Sequence, residues 1–171
     1  AAFADMNAAA SKAVTVGLDD GSGLAGNYVL NNPSGLTAAI TPKALTVSGV
    51  TAGNKTYDGT LAASLSGGTL NGLVGAETLT LSGQSGAFND KNAGIGKTVT
   101  VSGATLGDAG SGATAGLASN YTVSNATGVT ANIAQKALTV SGAAALDKTY
   151  DGNTAAALAG GTLDGLVGSE T

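Results

Sequence analysis

Lys43-Ala44-Leu45-Thr46-Val47-Ser48-Gly49 recurs as Lys136-Ala137-Leu138-Thr139-Val140-Ser141-Gly142, 93 residues further on. Within this stretch Leu45 and Val47 point one way, and Thr46 and Ser48 the other. That period of two marks a strand with one buried face. Gly49 ends the run. The same alternation returns at 78–83, at 98–103 and at Val129, Ala131 and Ile133. β-Branched Thr and Val suit a pleated sheet packed on one side. Asp58-Gly59, Gly67-Gly68, Asn71-Gly72 and Asp151-Gly152 read as turns between strands.

The repeat extends well beyond the strand. At the same offset 55–59 recurs as 148–152, and 67–78 as 160–171; residues 43–78 and 136–171 agree at 26 of 36 positions. Asn27-Tyr28-Val29 matches Asn120-Tyr121-Thr122 at 93, and 3–16 matches 88–101 at 85. The first repeat is therefore shorter by eight residues in the loop after that strand. The chain divides into the C-terminal part of one repeat (1–42), a whole repeat (43–135) and the N-terminal part of the next (136–171). Two organisations follow: a window on a longer polypeptide, or open ends that complete one another between chains by strand donation.

Composition narrows the chemistry. The 171 residues include 28 Gly and 2 Pro, but no Cys, His or Trp, and the seven basic residues are all Lys. Ordinary zinc, haem and iron–sulfur sites are thereby excluded, as are Ser-His-Asp and Cys-His catalysis. A net charge of -4 argues against nucleic acid as a partner. No apolar run approaches the roughly 20 residues that span a bilayer. No cofactor is expected, and no enzyme activity, because no acid–base pair converges.

All six aromatics occupy three repeat positions: Phe3 and Phe88, Tyr28 and Tyr121, Tyr57 and Tyr150. They are expected to be the large anchors of a core otherwise made of small side chains. About 93 residues with seven or so short strands suit an all-β fold of tandem Ig-like β-sandwich units. The strand motif returns at uneven intervals, which argues against a solenoid of fixed rungs. Residues 1–13 have helical propensity. Their counterpart carries Gly94 and Gly96, so both segments read as loop leading into a strand.

Several motifs invite a functional reading. Tyr57-Asp58-Gly59 and Tyr150-Asp151-Gly152 pair an aromatic face with a carboxylate, which suits a glycan; the favoured reading is a turn in which Asp bonds backbone amides and Gly supplies positive φ. Asp19, Asp20 and Asp108 lie in Gly- and Ser-rich loops that could offer oxygens to calcium, but their spacing matches no established calcium motif. Asn54, Asn120 and Asn125 begin glycosylation sequons that arise readily by chance here. Lys43, Lys55 or Lys97 could supply the amine of an internal isopeptide cross-link.

Taken in order, Lys-Ala-Leu-Thr-Val-Ser-Gly, Lys-Thr-Tyr-Asp-Gly, Gly-Leu-Val-Gly-x-Glu-Thr, Asn-Tyr-Thr-Val and the closing Ile40-Thr41-Pro42-Lys43 resemble the YDG-type repeats of large bacterial exoproteins. They are also similar to the related MBG-type repeats. The resemblance implies tandem extracellular β-domains on a Gram-negative surface, in haemagglutinin-like adhesins. It implies a stalk or spacer supporting adhesion or biofilm, with neighbouring repeats, and other copies in a fibre, as partners. The alternative is a module that binds glycan or protein by avidity. Ile133-Ala134-Gln135-Lys136 departs from the first junction by lacking its Pro.

Overall fold

A computed structural model describes residues 1–31 and 33–171. Among them there is no α-helix, and strands dominate. In chain order these are β1 (Ala2–Phe3), β2 (Ala9–Thr15), β3 (Thr37–Ile40), β4 (Lys43–Ala52), β5 (Lys55–Thr56), β6 (Ala62–Ala63), β7 (Leu65–Asn71) and β8 (Leu79–Ser82). They continue with β9 (Ser85–Phe88), β10 (Gly94–Ser102), β11 (Thr105–Asp108), β12 (Tyr121–Val123), β13 (Thr130–Ala134), β14 (Thr139–Ala145) and β15 (Leu158–Asp164). The protein is all-β, and three short 3-10 turns complete the described elements.

The chain forms two compact bodies, and neither follows a repeat boundary. The first holds Ala1–Val50, Gly67–Gln84 and Ser102–Ala126; the second holds Thr51–Ser66, Ser85–Val101 and Thr127–Thr171. The repeat border at 42/43 thus lies inside the first body and the border at 135/136 inside the second. Each body joins part of the whole repeat to part of a neighbouring one.

In the first body β1, β2 and β3 form an antiparallel sheet. β4 lies between β12 and β7 in a second sheet, and β8 pairs with β11. The β12–β4 pairing is parallel, with Tyr121 opposite Lys43 and Val123 opposite Leu45. In the second body the order is β5-β13-β10-β9-β6, with β13 and β5 parallel, and β14 and β15 form an antiparallel hairpin.

The alternation read from the sequence is the alternation of burial. Leu45 and Val47 are buried in the first body, together with Tyr121 and Ala126. Phe88, Val99, Val101, Val129, Ala131 and Ile133 are buried in the second. Residues 1–13 form no helix: a loop leads into a strand in both repeats. The strands begin at Ala9 and Gly94, ahead of the alternating run at 98–103, because a register shift absorbs the irregular residues between Gly94 and Lys97 and between Ala9 and Lys12.

Two expectations are corrected. Gly67-Gly68 is not a turn between strands; it lies within β7, with φ of 77° and 115°. A Cβ on Gly67 would meet the carbonyl oxygen of Gly49, and one on Gly83 would lie 2.5 Å from that of Gly103. At both places glycine lets two backbones meet without a side chain between them. The aromatics also do not all anchor the core. Phe88 (2% exposed) and Tyr121 (6%) do so. Phe3, Tyr28 and Tyr150 are 40%, 69% and 93% exposed, and Tyr57 is half-buried. The reason is positional. Phe88 is covered by residues of the same repeat: its N–H donates to Leu61 and the Lys55 ammonium lies 5.4 Å from its ring. Phe88 also stands on β9, between β10 and β6, whereas Phe3 stands on β1, the edge strand of its three-stranded sheet.

Truncating the ring that fills the second core leaves a cavity there. Phe88→Ala is expected to lower unfolding free energy by about 3 kcal/mol or more, whereas Phe3→Ala should cost no more than about 1 kcal/mol. Denaturant titration of the two variants checks the contrast.

Candidate functional site

The polar side chains that the repeat preserves are concentrated at its turns and borders. In the Tyr-Asp-Gly turn, Asp58 Oδ1 accepts the Thr60 N–H at 2.9 Å and the Thr60 hydroxyl at 2.9 Å, and the Lys55 ammonium reaches it at 2.8 Å. Lys55 also donates to the Thr60 carbonyl at 2.8 Å. The next repeat builds the same knot: Lys148 reaches Asp151 at 2.9 Å, and the Asn153 N–H donates to Asp151 at 3.2 Å. Gly59 and Gly152 have φ of 75° and 73°, the left-handed region that favours glycine. These bonds stabilise the charged carboxylates. The Lys55 ammonium, then the Thr60 donors, bring Asp58 down to about 2, and Lys148, then Asn153, hold Asp151 low as well.

A second knot recurs ahead of β2 and β10. Lys12 pairs with Asp5, and Lys97 with Asp90 at 2.5 Å. Asp5 and Asp90 each cap a turn, accepting the N–H of Asn7 and of Asn92 at 2.8 Å. Lys55 and Lys97, two of the three amines considered for an isopeptide link, therefore face carboxylates. Asp20 and Asp108 accept the N–H groups of Ala25 and Ala118, both at 2.6 Å. Loops of different length close on the same contact. Among the described residues no three acidic side chains converge as a metal site would need.

The sequon asparagines serve as brackets. Asn54 Oδ1 accepts the Asn132 N–H at 2.7 Å, and Asn125 Oδ1 accepts that of Ala104 at 3.0 Å. Asn120 works across a repeat border. Its Oδ1 accepts the Ala8 N–H at 2.7 Å, and its Nδ2 donates to Asn7 Oδ1 at 3.1 Å. Beside it, the Tyr121 hydroxyl donates to Glu77 Oε2 at 2.6 Å and accepts the Val74 N–H at 3.1 Å. Burial first, then the Glu77 bond, raises the Tyr121 phenol above its ordinary value. In the second body Tyr57 reaches the counterpart of Glu77: its hydroxyl donates to Glu170 Oε1 and is raised chiefly by that bond.

Each body holds a cavity at its repeat border. One, of about 500 Å³, is lined by Asn7, Ala8, Lys43, Val74, Glu77 and Tyr121 among others. The other, of about 510 Å³, is lined by Asn92, Ala93, Lys136, Val167, Glu170 and Tyr57 among others. The first five names of the second set are the repeat counterparts of those in the first. Asn120 and the Glu77/Glu170 position carry these borders, and local sequence patterns did not single them out as partners. The available signal was their recurrence, in Asn-Tyr and in Gly-x-Glu-Thr.

The protein is all-β, and its recurring polar residues bond the turns and the borders between similar stretches of sequence. It belongs to the YDG domain family, which matches residues 41–128 and 134–171. No curated protein and no solved structure matches the chain. Among the described residues no helix is long and apolar enough to cross a membrane.

Two titrations follow from the site. Asp58 has a folded value near 2 against an ordinary 3.8. Its contribution is present above the ordinary value and is lost as pH falls towards 2. Asp58→Asn should flatten part of the acid limb of stability against pH, with Asp5, Asp90 and Asp151 supplying the rest. The opposite sign holds for Tyr121: its neutral form is favoured in the fold, so its contribution is whole below the ordinary value of 10.0 and fades as pH rises through the raised one. Tyr121→Phe should shrink the alkaline limb, read by thermal melts across pH.

Proposed function

We propose that this chain is a spacer segment of an extracellular bacterial surface protein, built of tandem β-sandwich repeats of Ig-like size and serving a mechanical role. On this reading the repeats extend from a Gram-negative cell and carry an adhesive or matrix-forming element away from it. The partners are neighbouring repeats of the same long chain, and no catalytic step is assigned.

The observation that carries the reading is the border bracket of Asn120. One side chain donates to and accepts from the preceding repeat. Tension applied along the chain at that border must break both bonds together. Breaking two hydrogen bonds at once resists force better than breaking them in turn, because neither partner is replaced by water until both have parted. Pro42 adds stiffness at the same border, since its ring fixes φ and restricts Thr41. Family membership and the exoprotein resemblance supply the setting.

A second reading, a glycan- or protein-binding module, has one observation in its favour: the Tyr150 ring is almost wholly exposed beside the Asp151 carboxylate. Aromatic faces stack on sugars. Against this, Asp151 is already engaged by Lys148 and Asn153.

Force spectroscopy and a glycan array separate the two. The spacer reading expects the chain, pulled from its ends, to resist in discrete steps, one of which weakens in Asn120→Ala, and expects no saturable glycan binding. Unchanged rupture forces in the variant, together with glycan binding that Tyr150→Ala abolishes, would transfer the assignment to the binding module.

A further inference from the structure

Two strand pairings join stretches of chain that lie far apart in sequence, and both are parallel. In the first body Lys43, Ala44 and Leu45 of β4 stand opposite Tyr121, Thr122 and Val123 of β12. The Ser124 N–H extends this pairing by donating to the Leu45 carbonyl at 3.2 Å. In the second body Lys55 and Thr56 of β5 stand opposite Ile133 and Ala134 of β13. There the Tyr57 N–H donates to the Ala134 carbonyl at 2.9 Å, and the Asn132 N–H to Asn54 Oδ1 at 2.7 Å. Leu45 and Ile133, both fully buried, stand one on each pairing. Water that would replace a stretched bond beside them is kept out.

Parallel pairing decides how tension acts on these bonds. A pull along the chain reaches the earlier strand at its N-terminal end and the later strand at its C-terminal end. The two strands point the same way, so the pulls oppose each other along the strand axis, and the evenly spaced bonds between them are loaded together. The antiparallel pairs β2–β3 and β14–β15 respond differently. Ala9 stands opposite Ile40, and Thr139 opposite Asp164, where the chain enters and leaves each pair. Tension opens those ladders at that point and then parts them one residue pair after another.

We propose that β4–β12 and β5–β13 are two shear clamps, each of which keeps the residues between its strands folded under tension. The first clamp encloses residues 46–120 and the second residues 57–132. Residues 57–120 lie inside both. One clamp that slides leaves this stretch held by the other, and both must give before it unravels. The antiparallel pairs β2–β3 and β14–β15 lie outside the two clamps and yield at lower force.

This inference rests on the spacer reading and deepens it by placing the resistance to force at two named pairings. The two fail separately: a chain that resists in discrete steps when pulled from its ends, but shows no dependence on pulling direction at these pairings, keeps the spacer and loses the clamps. The test uses the whole 171-residue chain. It has no cysteine, so paired substitutions define where force enters. Thr41→Cys with Ser124→Cys pulls β4 and β12 from opposite ends. Thr41→Cys with Ser119→Cys pulls the same pairing from one end. Thr41, Ser119 and Ser124 are exposed, so both variants keep the fold, as circular dichroism verifies.

Single-molecule force spectroscopy at one loading rate reads the contrast. The rupture force with handles at 41 and 124 is expected to exceed that with handles at 41 and 119 by about twofold or more, because the bonds part together in the first geometry and singly in the second. The second clamp is tested in the same way, with Gly53→Cys and Gln135→Cys against Gly53→Cys and Thr130→Cys. A Cβ at Gly53 meets Ser64 at an ordinary 3.8 Å, and Thr130 and Gln135 are exposed. Equal forces in the two geometries overturn the clamp at that pairing, as does a higher force in the one-end geometry. The ratio is read separately at each pairing, so each clamp stands or falls on its own result.

Discussion

Shortage of apolar volume is the constraint on which the rest of this structure depends. Among the described residues the buried apolar set is ten residues, and only Leu45, Phe88, Tyr121 and Ile133 of these are larger than valine. Burial stabilises roughly in proportion to the apolar area removed from water, and one repeat offers little of it. Compact bodies that straddle repeat borders are the outcome. Leu45 and Val47 of one repeat are buried in the same body as strands β1 to β3 of the repeat before. Phe88 and its neighbours share theirs with the hairpin of the repeat after. Contact and sequence periodicity therefore divide the chain at different places.

Poverty of volume is offset by directional bonds. Recurring positions carry Asp, Asn, Lys or Glu whose side chains bond backbone groups or each other: Asp58 and Asp151 in one turn, Asp5 and Asp90 in another, Asp20 and Asp108 at the loop closures. A hydrogen bond contributes about 1 kcal/mol net, less than a buried leucine but with a fixed geometry. Small side chains also let backbones meet directly, as at Gly49 with Gly67 and again at Gly142 with Gly160. A methyl group at Gly67 or Gly160 would force those strands apart.

The parts of the fold legible in the sequence were those encoded within a few residues. The alternation at Leu45 and Val47, at Val99 and Val101, and at Val129, Ala131 and Ile133 matched the buried faces because strand period and side-chain direction are the same fact. Gly67-Gly68 lies inside a strand because the dipeptide signals positive φ, which a strand that approaches a neighbouring backbone closely uses as readily as a turn does. Aromatic burial was misread because it depends on covering residues dozens of positions away. The border contacts were invisible for the same reason: Tyr57 meets Glu170, and Asn120 meets Asn7, each across 113 residues. Repetition shows that such residues matter without showing whom they touch.

Out-of-phase sharing has a genetic consequence. Each border asks for one face from the repeat before and one from the repeat after, and the repeat sequence encodes both. Insertion or removal of one whole period would leave each border with its own complement. A gain or loss of half a period would set two like faces against each other. A chain organised in this way accommodates a change of length by one whole repeat without a compensating substitution at the seam.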